Sequence, residues 1–364
     1  MRRRLWSAVV LGSLTASAAL IAATAAATPD AQPSLITSAN RRVTQDIAGP
    51  TPSGPVAEGA WLSQGSVPGK GSRWDDMVRV SMLDLHQLSM TNGAVAAASA
   101  DRWNYAWPRD SAFVAVALAR TGHHSEAAKA LEFLQRVQLE DGGFEARYLL
   151  DGSGPPDGRA RQSDGAGWAL WALGEVGHAP GGLGSSAGLR SLLDNATRFA
   201  LAVTDDGRRL PAASPDYWEV PVRRMSLGTV APLLAGLHAS ERLYGALGEP
   251  ALAKRSAAAA ARLRINVRER FDNGYERFGH TWYGGGGGLD AAVTFLMPPF
   301  AASPSPRVVD AWMGYQSDAL RPAGGLAPGA GWKQDGISWT PETALVAYTA
   351  AMSGRRERAE HWMD

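Results

Sequence analysis

Two kinds of apolar pattern alternate along the chain from Trp74 onward. In the first, at Asp75–Ser89, Ser125–Gln138, Leu189–Val203, Pro250–Phe271 and Pro306–Leu320, apolar residues recur on one stripe and charged residues fill the opposite face, as in a helix with one side in water. In the second, at Ser111–Arg120, Gly165–Val176, Leu227–Ser240, Leu289–Met297 and Thr340–Met352, the run is apolar on every side and rich in Ala and Gly, as in a helix buried all round. The two kinds alternate strictly. β-branched runs at period two are absent, so a sheet is not expected. The pattern predicts an all-α fold whose outer amphipathic helices cover an inner ring of two-sided, small-residue helices. The inner helices are predicted to begin near residues 108, 164, 225, 289 and 340, with their N-termini at one end of the ring.

A repeat lies on this alternation. Trp107, Trp168, Trp218, Trp282 and Trp339 each sit at or just before an inner helix, 61, 50, 64 and 57 residues apart, which makes a hairpin unit of about 55 residues. Each comes with polar company: Arg109 and Asp110, Gln162 and Asp164, Asp216 and Glu219, Asp290, and Glu342. If the inner helices run parallel, one end of the ring is lined with indoles and carboxylates. Such a surface suits sugars, whose C–H faces stack on aromatic rings while their hydroxyls bond to Asp, Glu and Arg. A single tryptophan reads as core packing; five at corresponding positions read as a site.

Composition and charge narrow this picture. Of 364 residues, 45% are hydrophobic, and 41 Gly and 22 Pro imply shaped loops between the helices. The net charge of +1 gives no general attraction to nucleic acid or to an anionic membrane. Residues 1–27 read as a signal peptide outside the fold, with Arg2-Arg3-Arg4, an apolar run from Leu5 to about Leu20, and Ala25-Ala26-Ala27 at the cleavage position. The alternative is an uncleaved anchor, since the run is nearly long enough to span. With no cysteine, disulfides, a lipid-bearing Cys and a thiol nucleophile are excluded. Residues 28–72, rich in Pro, Gly and Ser, read as a linker, and residues 73–364 as the main folded domain. His123-His124 falls in a turn and reads as solvated rather than metal-binding. Neither a metal nor a cofactor is expected.

Two stretches carry chemistry. In Asn104-Tyr-Ala-Trp-Pro-Arg-Asp110, Pro108 and Asp110 suit a first helical turn, but Arg109 does not, because a cation there opposes the helix dipole. That charged pair at the mouth of a buried helix is either a site or a local ion pair closing a loop. In Ser214-Pro-Asp-Tyr-Trp-Glu219, the neighbours of Glu219 are aromatic or apolar, a setting that would raise its pKa as a general acid requires. The alternative is that Arg223 and Arg224 hold it ionised.

Tyr105-Ala-Trp-Pro-Arg-Asp110, Gln162-Ser-Asp-Gly-Ala-Gly-Trp168, Tyr217-Trp-Glu219 and Ser338-Trp-Thr-Pro-Glu-Thr343 occur in order and at corresponding helices. The set resembles the glucoamylase-type glycoside hydrolases of family 15, with kin among glucodextranases and bacterial trehalases, from about Gly65 to the last residue. The resemblance implies an (α/α)6 toroid and an exported, exo-acting glycosidase that cleaves terminal α-glucosidic bonds of an α-glucan or α-glucoside oligosaccharide with inversion. Glu219 would be the general acid. Arg109 and Asp110 would hold the terminal glucose, Trp107, Trp168 and Trp218 would wall the pocket, and Gln162, Asp164, Tyr217, Trp339 and Glu342 would complete the substrate-binding set. Secretion as a monomer, with no membrane contact once the signal is removed, is expected.

Two departures from that pattern matter. Where the family carries a second glutamate after the acid, this chain has Val220, which leaves the linkage open among α-1,4, α-1,6 and α,α-1,1. The family's general base lies before a twelfth helix, whereas ten helices and the start of an eleventh, Arg355–Asp364, are legible here. The toroid is therefore expected to be truncated within helix 11, with its last hairpin and the base beyond residue 364. Glu342, the last carboxylate in a site loop, reads as a favourable charge at a helix N-terminus rather than as that base. The competing reading is a non-catalytic carbohydrate-binding relative, or an inactive fragment of such an enzyme.

Overall fold

The computed structural model describes residues 55–99, 101–179, 186–279 and 285–364. The predicted signal peptide, residues 28–54 of the predicted linker, and Trp282 lie outside the described residues. Helices in chain order are α1 (Pro55–Leu62), α2 (Asp75–Leu88), α3 (Pro108–Arg120), α4 (His124–Val137), α5 (Asp164–His178), α6 (Arg190–Val203), α7 (Leu227–Ala246), α8 (Pro250–Phe271), α9 (Pro306–Asp318), α10 (Thr340–Met352) and α11 (Arg356–Met363), with a 3-10 segment at Ala291–Leu296. The sequence pattern and these bounds agree within a few residues, because proline and capping residues mark the starts. Pro108, Pro250, Pro306 and Pro341 open α3, α8, α9 and α10, and Ser305 accepts from the Val308 amide at 3.3 Å. Proline suits a first turn because the N–H it lacks has no intrahelical partner there.

Helices α3, α5, α7, the 3-10 segment and α10 pack each against the next as an inner ring. On the ring axis, Phe113 (α3), Trp168 and Trp171 (α5), Phe295 (3-10 segment), Phe300 and Tyr348 (α10) form a chain of aromatic contacts with centroids 4.7–6.4 Å apart. The centre of the toroid is thus packed rather than open. Residues just before three inner elements are tied to neighbouring loops by bridges, Ala106 to Tyr148, Asp290 to Gly329 and Trp339 to Leu326. These ties gather the loops at the N-terminal end of the inner ring.

The crossing of α5 and α7 needs glycine. A Cβ on Gly167 would lie 2.3 Å from the Pro232 carbonyl oxygen, and one on Gly236 would lie 2.9 Å from the Gly167 Cα. Two glycines thus let α5 and α7 touch backbone to backbone. Alanine at Gly167 gains about 1 kcal/mol of helix propensity, but here it must push a neighbouring backbone aside. Gly167→Ala is expected to lower unfolding free energy by about 1–3 kcal/mol net, the cost of overpacking a closed core. Urea titration checks this, and a stabilised variant would show that the crossing can yield.

Three local expectations are corrected. The predicted fourth inner helix, Leu289–Met297, is a six-residue 3-10 segment that begins when Asp290 accepts from the Ala292 amide and ends before Pro298-Pro299. Proline cannot donate to the preceding turn, so the segment cannot extend. The predicted linker includes α1, because Trp61 is buried, stacked between His86 and His123 at 4.3 and 3.8 Å, and donates to Glu126 at 2.6 Å. His123 is accordingly buried rather than solvated, and burial lowers its pKa.

Candidate active site

Arg109 is the hub of the ring's N-terminal end. Its guanidinium faces Asp110 at 3.6 Å, Asp164 at 3.7 Å and Glu219 at 3.3 Å, and approaches the Gln162 side-chain oxygen at 3.4 Å. Burial alone would lower its pKa; the three carboxylates outweigh that and raise it. A cation disfavoured by its own helix dipole is therefore held by carboxylates from three elements. Asp164, the first residue of α5, is buried, and burial raises its pKa to about 7 although Arg109 opposes this. It accepts from the Trp168 indole N–H at 2.9 Å.

Glu219 ends a tight turn. Its amide donates to the Asp216 carbonyl at 2.9 Å, the Trp218 amide donates to the Asp216 carboxylate at 3.0 Å, and Glu219 itself has φ of +56°. A non-glycine residue in the left-handed region costs on the order of 1–3 kcal/mol and persists only where its surroundings enforce it. The turn brings the Glu219 side chain to Arg109. Oε1 accepts from Gln162 at 2.7 Å and from Arg109, while Oε2 accepts from Arg159 at 3.1 Å. The apolar setting expected for Glu219 is not found, and neither is pairing with Arg223 or Arg224. Arg224 instead donates to the carbonyls of Gly279 and Gly285.

A buried ion cluster enforces that turn. Arg277 donates to Asp216 at 2.6 Å and to Asp290 at 3.2 Å, and Ser226 donates to the other Asp216 oxygen at 2.6 Å. All four residues are buried. The Arg277 guanidinium also lies 3.7 Å from the Trp218 ring centre, a desolvated cation–π contact. The Tyr217 hydroxyl is 2.5 Å from Asp290 and 3.0 Å from the Pro328 carbonyl. Burial raises the Asp290 pKa, with Arg277 opposing, and places that of Tyr217 well above its usual value.

An aromatic rim completes the end. Trp218 meets Trp332 edge-on at 4.8 Å, and Trp332 meets Trp339 at 5.5 Å. Trp107 sits beside Trp103 and Tyr105, under the Arg147 guanidinium. The indole N–H groups of Trp107, Trp218, Trp332 and Trp339 are buried without a hydrogen-bond partner, as are Asp110 Oδ2, Asp164 Oδ1 and Glu342 Oε2. Glu342 is buried in the first turn of α10, where burial raises its pKa to about 7, and it senses Arg109 and Asp110 electrostatically. Buried polar groups are normally paired, so this set of donors and acceptors suits a polyhydroxylated guest.

Of the sequence-expected residues, Arg109, Asp110, Gln162, Asp164 and Glu219 are brought together, and two others are placed differently from expectation. Trp168 is enclosed by Phe113, Trp171, Phe295 and Phe300. Because α5 is buried all round, this indole faces the ring axis and reaches the site only by fixing Asp164. The Tyr217 hydroxyl is committed to Asp290 and Pro328, so it anchors the floor. Sequence reasoning missed Arg159, Arg277 and Trp332, which lie outside the recurring motif positions.

The helical ring thus carries carboxylates, an arginine and indoles at one end. Residues 71–224, which include Arg109, Asp110, Gln162, Asp164 and Glu219, match the family model for glycosyl hydrolases family 15. This segment, rather than the whole chain, is what is similar to that family. No curated protein matches by sequence. Among solved structures, a wild-type glycosidase aligns over 84% of this chain and 83% of its own, at 21% identity and a TM-score of 0.67. A bacterial glucoamylase complexed with acarbose aligns over 84% of this chain and 51% of its own, at 16% identity and a TM-score of 0.62. A glucoamylase from Saccharomycopsis fibuligera aligns over 71% of this chain and 66% of its own, at 16% identity and a TM-score of 0.55. At these identities the likeness is one of fold.

Proposed function

We propose that this protein is an exported glycosidase that hydrolyses terminal α-glucosidic bonds with inversion. The observation that carries the reading is the gathering of Asp110, Asp164, Gln162 and Glu219 around Arg109, all within the segment that matches the family model. Such groups exchange water for sugar hydroxyls without leaving a buried charge unpaired. The N-terminal pattern of Arg2-Arg3-Arg4, apolar run and Ala25-Ala26-Ala27 supports export. Structural neighbours that hold glucose or acarbose support a glucose-type ligand. Glu219 is the proposed acid, giving its proton to the glycosidic oxygen as the bond breaks, with Gln162 fixing its orientation. Arg109, Asp110 and Glu342 are proposed to hold hydroxyls of the terminal glucose, with Trp107, Trp218 and Trp339 along its walls and Asp164 steadying Arg109. Inversion also needs a carboxylate that activates water, roughly 6.5–9.5 Å from the acid; that role is assigned to none of these residues. Val220, exposed beside Glu219, offers the leaving sugar no charged grip.

Incubation of the full chain with maltotriose, isomaltose and trehalose, followed by NMR of the released anomer, tests the reading. β-Glucose as first product is expected; α-glucose would overturn inversion. Asp110→Asn should weaken glucose binding, read by tryptophan fluorescence, about 10- to 100-fold, the loss of a charge-assisted hydrogen bond. Its melting temperature should change little. A large stability loss with binding intact would return Asp110 to a loop-closing ion pair.

A further inference from the structure

We propose that Arg159 is a displaceable plug on Glu219, occupying in the free protein the carboxylate oxygen that the leaving sugar must reach. This rests on the assignment of Glu219 as general acid. A general acid must lie within hydrogen-bond distance of the oxygen it protonates, yet both Glu219 oxygens are engaged. Oε1 is held by Gln162 and Arg109, and Oε2 by Arg159. Oε1 carries two donors and Oε2 only one, so Oε2 is the oxygen a leaving sugar can approach, and Arg159 stands on it.

The three donors are not equally free to move. Gln162 is buried, and the Arg109 side chain is 16% exposed and ion-paired with Asp110 and Asp164 as well. The Arg159 side chain is 40% exposed and has Asp157 as its other partner, at 3.2 Å. It stands at the end of Gly152-Ser-Gly-Pro-Pro-Asp-Gly158, where Gly152 and Gly154 take positive φ and a Cβ on Gly158 would touch nothing. Asp157 is itself fixed by Arg147 at 2.5 Å, and Arg147 lies 4.2 Å from the Tyr105 ring centre. When the Glu219 contact breaks, Arg159 therefore keeps a counter-ion and a tether. Charge around Glu219 stays balanced by Arg109, which also faces Asp110 and Asp164.

The division of donors predicts which ligands feel the plug. A single glucose gripped at Arg109 and Asp110 does not need Oε2. A disaccharide, whose second ring lies past Glu219, does. The test measures binding of glucose and of a thio-linked maltoside, whose sulfur bridge resists hydrolysis, by tryptophan fluorescence in the full chain. Arg159→Ala is expected to tighten thio-maltoside binding about two- to fivefold, the value of a partly exposed ion pair no longer broken on binding, and to leave glucose binding unchanged. Arg159→Lys, which keeps the charge, should stay near the parent protein. In a Glu219→Gln background, Arg159→Ala should lose most of its effect, which a purely structural role for the loop would not produce. Equal or weaker thio-maltoside binding by Arg159→Ala, or the same change in both backgrounds, overturns the plug. If glucose fails to bind even the parent protein, the site assignment falls and the plug falls with it.

Discussion

Glu219→Gln should reduce glycoside hydrolysis by about 10²–10⁴-fold, the usual contribution of a positioned proton donor, while sugar binding persists. The amide is isosteric, so the turn keeps its φ of +56° and its packing. It cannot give up a proton to a leaving oxygen, and it loses the charge that draws Arg109 and Arg159 together. Because the Glu219 side chain is only 14% exposed, part of that attraction is felt in low dielectric, so some loss of order at Arg159 is expected. The measurement is kcat with any substrate the sugar panel identifies, set beside glucose affinity. Unchanged kcat would remove Glu219 from the reaction and favour one of the other carboxylates at this end. Loss of glucose affinity together with kcat would show that the residue organises the site rather than acting as the acid.

Much of the architecture was legible in the sequence because it rests on short-range rules. Four of the five apolar runs without a polar face are inner helices, and Pro108, Pro250, Pro306 and Pro341 announce starts that the structure keeps. The gathering of Arg109, Asp110, Gln162, Asp164 and Glu219 followed from their shared place near the starts of inner helices. What was not legible depends on partners far apart in the chain. Arg159 and Glu219 are 60 residues apart, and Arg277 and Asp216 are 61; no local pattern marks either pair. The apolar flanks of Glu219 suggested an apolar setting, but the left-handed turn carries the side chain away from them to the α3 N-terminus. His123 likewise has polar neighbours in sequence, and only the docking of Trp61 buries it. The fourth inner helix failed because Pro298-Pro299 outweighs a helix-compatible run.

The largest stability effect is expected at Arg277, which touches no proposed sugar contact except Trp218. Its side chain is 2% exposed and is the shared cation of Asp216 and Asp290, themselves buried. Arg277→Met keeps the volume and removes the charge, leaving two carboxylates facing each other in low dielectric. Removing one partner of a buried ion pair typically costs about 3–5 kcal/mol, and urea unfolding is expected to show a loss of that size. Asp216 would no longer be fixed from both sides, so the turn that sets Glu219 in the left-handed region would relax, and Trp218 would lose the cation above its ring. Activity should fall further than stability at temperatures where the variant remains folded. Adding Asp216→Asn and Asp290→Asn to Arg277→Met removes the stranded charges and should recover most of the lost stability, since buried ionic groups can often be replaced by neutral ones. It should not recover activity, because the amide at 216 has one oxygen where the carboxylate had two. The Trp218 amide and Ser226 each donate to a different one of those oxygens. Recovery of both together would mean that the cluster supports the fold alone and that the Glu219 turn is set by its own sequence.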